Sequence, residues 1–274
     1  MAMIPGLTVP APERLRRRYG LFDAASGPLD LPPHGEGGGV RFVPGACGRS
    51  LAYGVTCYEA PAGAPEKPLD GDAAEVETGV FVALATFNCG AVGYTIPEYQ
   101  AKVRRRLEGT EQASVEEALW TGLDFQGNAL GILNLDDEAV AVPVTGFEDL
   151  FITGVVGALE RYAYTDNQYG GVAYIHAPVE VAAIAAEAGL IVPEGTGPNA
   201  RKLTPMESVW LYGAYPSGGI VITGQTTVWR APEIQVYSSF ENATNEVLLV
   251  AERAYSVAFE CFAGRAEFNP LEGS

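Results

Sequence analysis

From about residue 40 the apolar positions alternate with polar ones or gather into short β-branched runs, the pattern of extended chain. Val40-Arg41-Phe42-Val43 and Leu51–Tyr58 read as strands, and Thr78–Phe87 returns as another β-rich run. Between them APAGAPEKPLDGD (residues 60–72) carries three prolines and a turn at Asp70-Gly71, so a long projecting hairpin is predicted. Such a hairpin has little core of its own and needs a partner to be stable. At Thr95 the period changes. Thr95-Ile96-Pro97-Glu98 matches a capping box, and Ile96, Tyr99, Val103, Leu107, Val115 and Leu119 follow helical spacing. Continued to Trp120, this helix spans roughly 36 Å for about 24 residues. Gly109 lies inside it at a cost of about 1 kcal/mol against alanine and is a candidate bend.

Residues 121–132 read as a loop returning to extended chain. A second capped helix is expected from Thr145-Gly146-Phe147-Glu148, presenting Phe147, Leu150, Phe151, Val155, Ala158, Leu159 and Tyr162 on one face. Gly171–His176 reads as a buried strand, and Pro178 as the start of an alanine-rich helix that stops at Gly189. Short strands follow at Val209–Tyr212, Ile220–Thr223, Thr226–Arg230 and Glu233–Tyr237. Glu246 to Phe262, rich in β-branched, aromatic and small residues, is the last long strand. With no repeated βαβ alternation, the class is α+β.

Ahead of these elements, residues 1–39 carry proline at 5, 10, 12, 28, 32 and 33 and then a Gly-rich stretch, which neither helix interior nor central strand tolerates. They read as an arm that gains order on another surface. Two basic groups stand out: Arg14, Arg16, Arg17 and Arg18 in the arm, and Lys102, Arg104, Arg105 and Arg106 on the long helix, followed there by Glu108, Glu111, Glu116 and Glu117. Each group reads either as a solvated face or as an inter-subunit contact.

Composition sharpens this picture. Of 274 residues 47% are apolar, enough for a sizeable core, while Lys+Arg 17 against Asp+Glu 34 leaves a net charge of −17. That balance argues against dedicated DNA binding, which draws on clustered cation. No run of 18 apolar residues exists, so no membrane span is expected. The N-terminus lacks a secretory apolar stretch, so the chain is expected to stay in the cytoplasm. Cys47, Cys57, Cys89 and Cys261 show no CxxC spacing and read as reduced thiols rather than zinc ligands.

Candidate chemistry is sparse. A phosphate loop, a GxSxG elbow, HExxH and an EF-hand loop are all missing. His34 sits in a Pro-Pro-His-Gly turn, and His176 ends an apolar strand where a hydrogen-bonded core histidine is the default. Asp136-Asp137-Glu138 reads as a turn. No catalytic residue, cofactor or metal is therefore expected, and the chain reads as structural.

Three segments, in this order and spacing, resemble the tailed-phage major capsid proteins of the Hong Kong 97 type. Ala118-Leu119-Trp120-Thr121-Gly122 through Gly127–Ile132 is similar to the stretch after that family's spine helix. Gly171–Pro178 with its following helix resembles a strand–proline–helix unit, and Asn245–Phe259, containing Glu252-Arg253, resembles the terminal E-R strand. The resemblance implies an N-terminal arm (1–39), an extended loop (40–80), a peripheral domain with the spine helix (81–122 and 236–274) and an axial domain (123–235). It further implies a shell subunit forming pentamers and hexamers in the virion, assembled in a bacterial cytoplasm. Partners would be a portal, a separate scaffold and decoration proteins, and the shell would enclose double-stranded DNA without reading its sequence.

Some members of that family lock the shell by an isopeptide bond between a loop lysine and an asparagine, assisted by a glutamate. Lys67, Asn245 and Glu252 fit that set by the seven-residue spacing of the last two. Aligning Glu252-Arg253 on the family's E-R instead puts Ala251 and Thr244 at the glutamate and asparagine, which leaves non-covalent packing. Two other readings are an encapsulin-like nanocompartment, with the same fold around a protein cargo, and a cytosolic α+β enzyme using carboxylates.

Overall fold

The computed structural model describes residues 17–48, 75–90, 95–144, 151–195 and 201–268. In chain order they form a helical turn α1 (Leu21–Ala24), β1 (Ser26–Asp30), a second turn α2 (Gly35–Gly38), β2 (Val40–Phe42), β3 (Val76–Thr78) and β4 (Phe81–Gly90). The long helix α3 (Ile96–Thr121), α4 (Leu135–Glu138), β5 (Val140–Ala141) and α5 (Ile152–Arg161) follow, the last running into a π-helical turn at Tyr162–Asp166. Then come β6 (Tyr174–Pro178), α6 (Val181–Glu187), β7 (Val192–Glu194), β8 (Arg201–Leu203), β9 (Val209–Gly213) and β10 (Gly218–Thr223). The chain closes with β11 (Thr226–Arg230), β12 (Gln235–Glu241), β13 (Glu246–Phe259) and β14 (Ala263–Phe268).

β13 is the spine of a five-stranded sheet. Along Glu246–Tyr255 it pairs antiparallel with β4 on one edge; on the other it pairs first with β12 and then with β11, and β1 adds parallel to β11. The period-2 pattern decides which face is covered: Val247, Leu249 and Ala251 of β13 and Phe81, Ala83 and Ala85 of β4 are buried in one core with α3. The helix supplies Tyr99, Val103, Leu107, Val115 and Leu119, one stripe at intervals of four. Its capping box is formed, with Glu98 accepting from the Thr95 backbone N–H at 2.7 Å. It runs unbroken through Gly109 for 26 residues, about 39 Å, and ends at Gly122, whose φ of +67° suits a glycine C-cap.

A seven-stranded mixed sheet, ordered β5-β14-β10-β6-β9-β8-β7, forms the second layer. Ile175, Trp210, Ile220 and Ile222 meet α5 and α6 on one side, while Tyr174, Leu211 and Val221 face the α3 core on the other. Burial on both faces is why β6 and β9 read as continuous apolar runs rather than alternating ones. The root of the hairpin is present as β2–β3, with Val40 opposite Thr78 and Phe42 opposite Val76. Leu51–Tyr58, the Asp70-Gly71 turn and Lys67 lie outside the described residues.

Several expectations are corrected. Pro178 closes β6 opposite Gly213 instead of opening a helix; proline holds Ala177 extended, and α6 begins only at Val181. The helix expected from Thr145 begins at Ile152, its proposed cap lying outside the described residues. The last strand stops at Phe259, and Cys261, at φ +64°, turns the chain into β14, which the sequence pattern did not separate. β12 and β13 thus lie in the five-stranded sheet and β14 in the seven-stranded one, while β11 pairs with β13. Cys47 and Cys261, expected as reduced thiols, are joined in the structure by a disulfide across 214 residues, with Cα atoms 5.3 Å apart. Spacing could not show this, because the pair is assembled from the hairpin root and the β13–β14 turn.

Candidate functional site

The conspicuous polar chemistry is buried and fastens elements together. Glu116, on the inner side of α3, has no exposed surface. Its carboxylate accepts from the Arg17 guanidinium, the Leu21 backbone N–H at 3.1 Å, the Gln112 amide at 2.8 Å and the Ala214 backbone N–H at 2.8 Å. One side chain thus joins the incoming arm, the long helix and the corner after β9. A buried carboxylate is tolerated only when so completely satisfied. One turn earlier, Glu111 accepts from Arg253 Nη1 at 3.2 and 3.3 Å, with Arg230 3.9 Å away. These contacts lock α3 to β13 and β11.

Both glutamates correct the reading of a solvated helix face. Glu111 falls on the interval-of-four stripe between Leu107 and Val115, and that register was the signal available in the sequence. Glu116 had none, since apart from Gln112 its donors lie 95 to 99 positions away.

His176 is also fully buried. Its Nδ1 lies 3.2 Å from the Tyr215 hydroxyl and its Nε2 3.1 and 3.2 Å from the Thr223 and Thr226 hydroxyls. Burial with uncharged partners lowers its pKa to about 3, so the ring is neutral and serves as a hydrogen-bond hub between β6, β10 and β11. Tyr215 packs against Trp120 with ring centroids 5.2 Å apart, tying this hub to the end of α3. Glu160 accepts from the Thr204 and Ser208 hydroxyls, and burial raises its pKa. None of these groups stands beside a nucleophile in an open cleft. Among the described residues, no group of three or more His, Cys, Asp or Glu could hold a metal.

The residues singled out in the sequence are scattered. Arg17 and Arg18 are exposed, and Arg17 is the partner of Glu116; Arg14 and Arg16 lie outside the described residues. On α3, Arg104 and Arg105 are exposed, Lys102 lies over the Tyr99 ring at 5.7 Å, and Arg106 donates to the Thr86 carbonyl at 2.8 Å. The last contact belongs to the chain's own α3–β4 packing. Asn245 occupies the exposed turn before β13 at φ +55°, and Glu252 lies seven residues along that strand, about 23 Å away at strand rise. One copy of the chain does not bring them together.

No protein-family model and no curated protein matches the chain. Solved structures do. The capsid of an empty GTA particle aligns at a TM-score of 0.52 and 15% identity, covering 97% of this chain and 95% of that one. A chain of Microbacterium phage Oxtober96 aligns at 0.56 and 12% identity, covering 97% and 96%. One of Mycobacterium phage Ogopogo aligns at 0.53 and 12%, covering 97% of both. The fold is of the Hong Kong 97 type. Within this Hong Kong 97-type fold, Glu111, Glu116 and His176 are fastening residues, each joining segments that are distant in sequence.

Proposed function

We propose that the chain is a structural, non-enzymatic subunit of an icosahedral phage head. It self-assembles through pentamers and hexamers into a shell that encloses packaged double-stranded DNA. The observation that carries this reading is the correspondence, over 97% of this chain, with a GTA capsid chain and with chains of two phages. On this reading residues 1–39 are the arm, 40–80 the extended loop, 81–122 with 236–274 the peripheral domain and 123–235 the axial domain. Portal, scaffold and decoration proteins would be its partners, and the host cytoplasm its place of assembly. The charge fits: at −17 per subunit a shell wall does not condense onto the polyanion it contains.

Lys67, Asn245 and Glu252 remain candidates for a covalent lock between copies, since Asn245 is exposed at a turn where a neighbour could reach it. The test of the main reading is negative-stain microscopy of the chain expressed with its neighbouring gene products. Closed angular particles containing nuclease-protected DNA are expected. A monodisperse monomer would overturn the shell reading, and closed particles filled with protein cargo would replace it with the nanocompartment one.

A further inference from the structure

The hairpin root is held to the body in two ways. Near β2 and β3 the ties are non-covalent: the Thr78 hydroxyl donates to the Val257 carbonyl at 2.9 Å, Ser256 donates to the Gly79 carbonyl at 3.0 Å, and Phe42 packs on Trp229. Five residues beyond β2 the tie is covalent, Cys47 to Cys261. Cys261 is presented by a turn fixed through Glu260 N–H to the Gln225 carbonyl (3.1 Å) and Phe262 N–H to the Glu260 carbonyl (2.7 Å). Cys47 arrives on irregular chain.

The bond is not sealed in a core. Cys47 is half-buried and Cys261 exposed, and both line a groove of about 550 Å³ with Pro44, Val76, Tyr162 and Phe262. A small thiol or disulfide therefore reaches the sulfurs without global unfolding.

We propose that Cys47 and Cys261 form a thiol–disulfide exchange site, open while the subunit is in a reducing compartment and closed once the particle meets low-molecular-weight disulfide outside. Closure straps the hairpin root to the β13–β14 turn. The timing rests on the proposed shell function, because bacterial cytosol keeps accessible thiols reduced. The Cys261 thiol loses its proton, and the thiolate attacks one sulfur of RSSR, breaking that S–S bond and expelling RS⁻, which is protonated to RSH. The Cys47 thiolate then attacks the Cys261 sulfur of the mixed disulfide and expels the second RS⁻. Two protein thiols are oxidised and one RSSR is reduced to two RSH. Until that step residues 43–48 have no covalent tie to the body; afterwards they are anchored at Cys47.

The test compares producing cells quenched with N-ethylmaleimide before lysis with released particles incubated in oxidised glutathione. Peptide mapping should find Cys47 and Cys261 alkylated in the first sample and linked in the second, with dithiothreitol reversing the link. Amide exchange over residues 43–48 should slow at least about tenfold on linkage, and Cys47→Ser and Cys261→Ser chains should exchange at the reduced rate under both conditions. A pair already linked in quenched cells, a pair still alkylated after oxidant, or unchanged exchange would each overturn the proposal. Microscopy of the same samples separates it from the shell reading. Closed particles without linkage sink the exchange site alone, whereas linkage in a chain that never forms particles sinks the shell reading and the timing with it.

Discussion

A carboxylate cut off from water has to be surrounded by donors, and Glu116 has four, from three separate stretches of chain. Replacing it by alanine strands the Leu21 and Ala214 N–H groups and the Gln112 amide, so Glu116→Ala should cost about 3–5 kcal/mol. Arg17→Ala should cost less, about 1–2 kcal/mol, because three donors stay on the carboxylate and the lost guanidinium is part-exposed. Urea unfolding of the two variants checks the order, and equal losses would remove the joint. His176 makes a prediction about pH. Its folded pKa, about 3, lies below the roughly 6.5 of an unfolded histidine, so the unfolded state binds the proton first as pH falls. The neutral ring's contribution is complete above pH 6.5 and declines towards pH 3 by about 1.4 kcal/mol per pH unit. Burial raises the pKa of Glu160 and Glu260, which works in the opposite sense, so the comparison is between wild type and His176→Gln. The wild type should lose stability more steeply between pH 6 and 4; parallel slopes would show that the ring is solvated. From the sequence His176 was legible as a core histidine because its strand is apolar. Its three hydroxyl partners were not, because they sit 39 to 50 residues away.

Among elements, α3 was the most legible, because a capping box and an interval-of-four stripe are local signals read along a single turn-by-turn repeat. Gly109 is exposed in its unbroken middle, so Gly109→Ala should stabilise the chain by about 1 kcal/mol, measured as a raised unfolding midpoint. No gain would mean that the helix bends there in solution. The strands around β13 were legible as strands, but their pairing was not: β4 and β13 are joined over more than 150 residues, and nothing local chooses β12 and β11 for the opposite edge. Pro178 misled for a related reason. Proline suits both a helix start and a strand end, and the parallel neighbour β9 decided for the strand. The Cys47–Cys261 bond closes a loop spanning 214 residues, worth about 5 kcal/mol in the chain-entropy model. Reduction should therefore lower the melting temperature of the wild type and leave that of Cys47→Ser unchanged, as differential scanning calorimetry with and without reductant would show.

At the scale of the whole molecule, two sheets share α3 and its buried glutamates. The hairpin root is tied to the body by the Thr78 and Ser256 hydrogen bonds, the Phe42–Trp229 contact and the Cys47–Cys261 bond. If copies are joined only non-covalently, boiling denaturing electrophoresis of purified shells under reducing conditions gives one monomer band. That outcome follows if Glu252-Arg253 aligns on the E-R pair, which puts Ala251 and Thr244 at the isopeptide positions; Arg253 is engaged with Glu111 within the chain. A ladder of multimers would reinstate Lys67, Asn245 and Glu252.

What the sequence by itself determined was everything carried by short-range repetition: the long helix and its caps, the strand-rich run to either side, the acidic balance and the lack of a catalytic motif. What only the tertiary structure decided was which distant segments meet: the partners of Glu111 and Glu116, the return of β14 into the second sheet, and the Cys47–Cys261 bond. The physical reason is one of range. Backbone periodicity and capping are settled within a turn or two of chain, whereas burying a charge or joining two sulfurs depends on contacts between segments 90 to more than 200 residues apart, which no local pattern encodes.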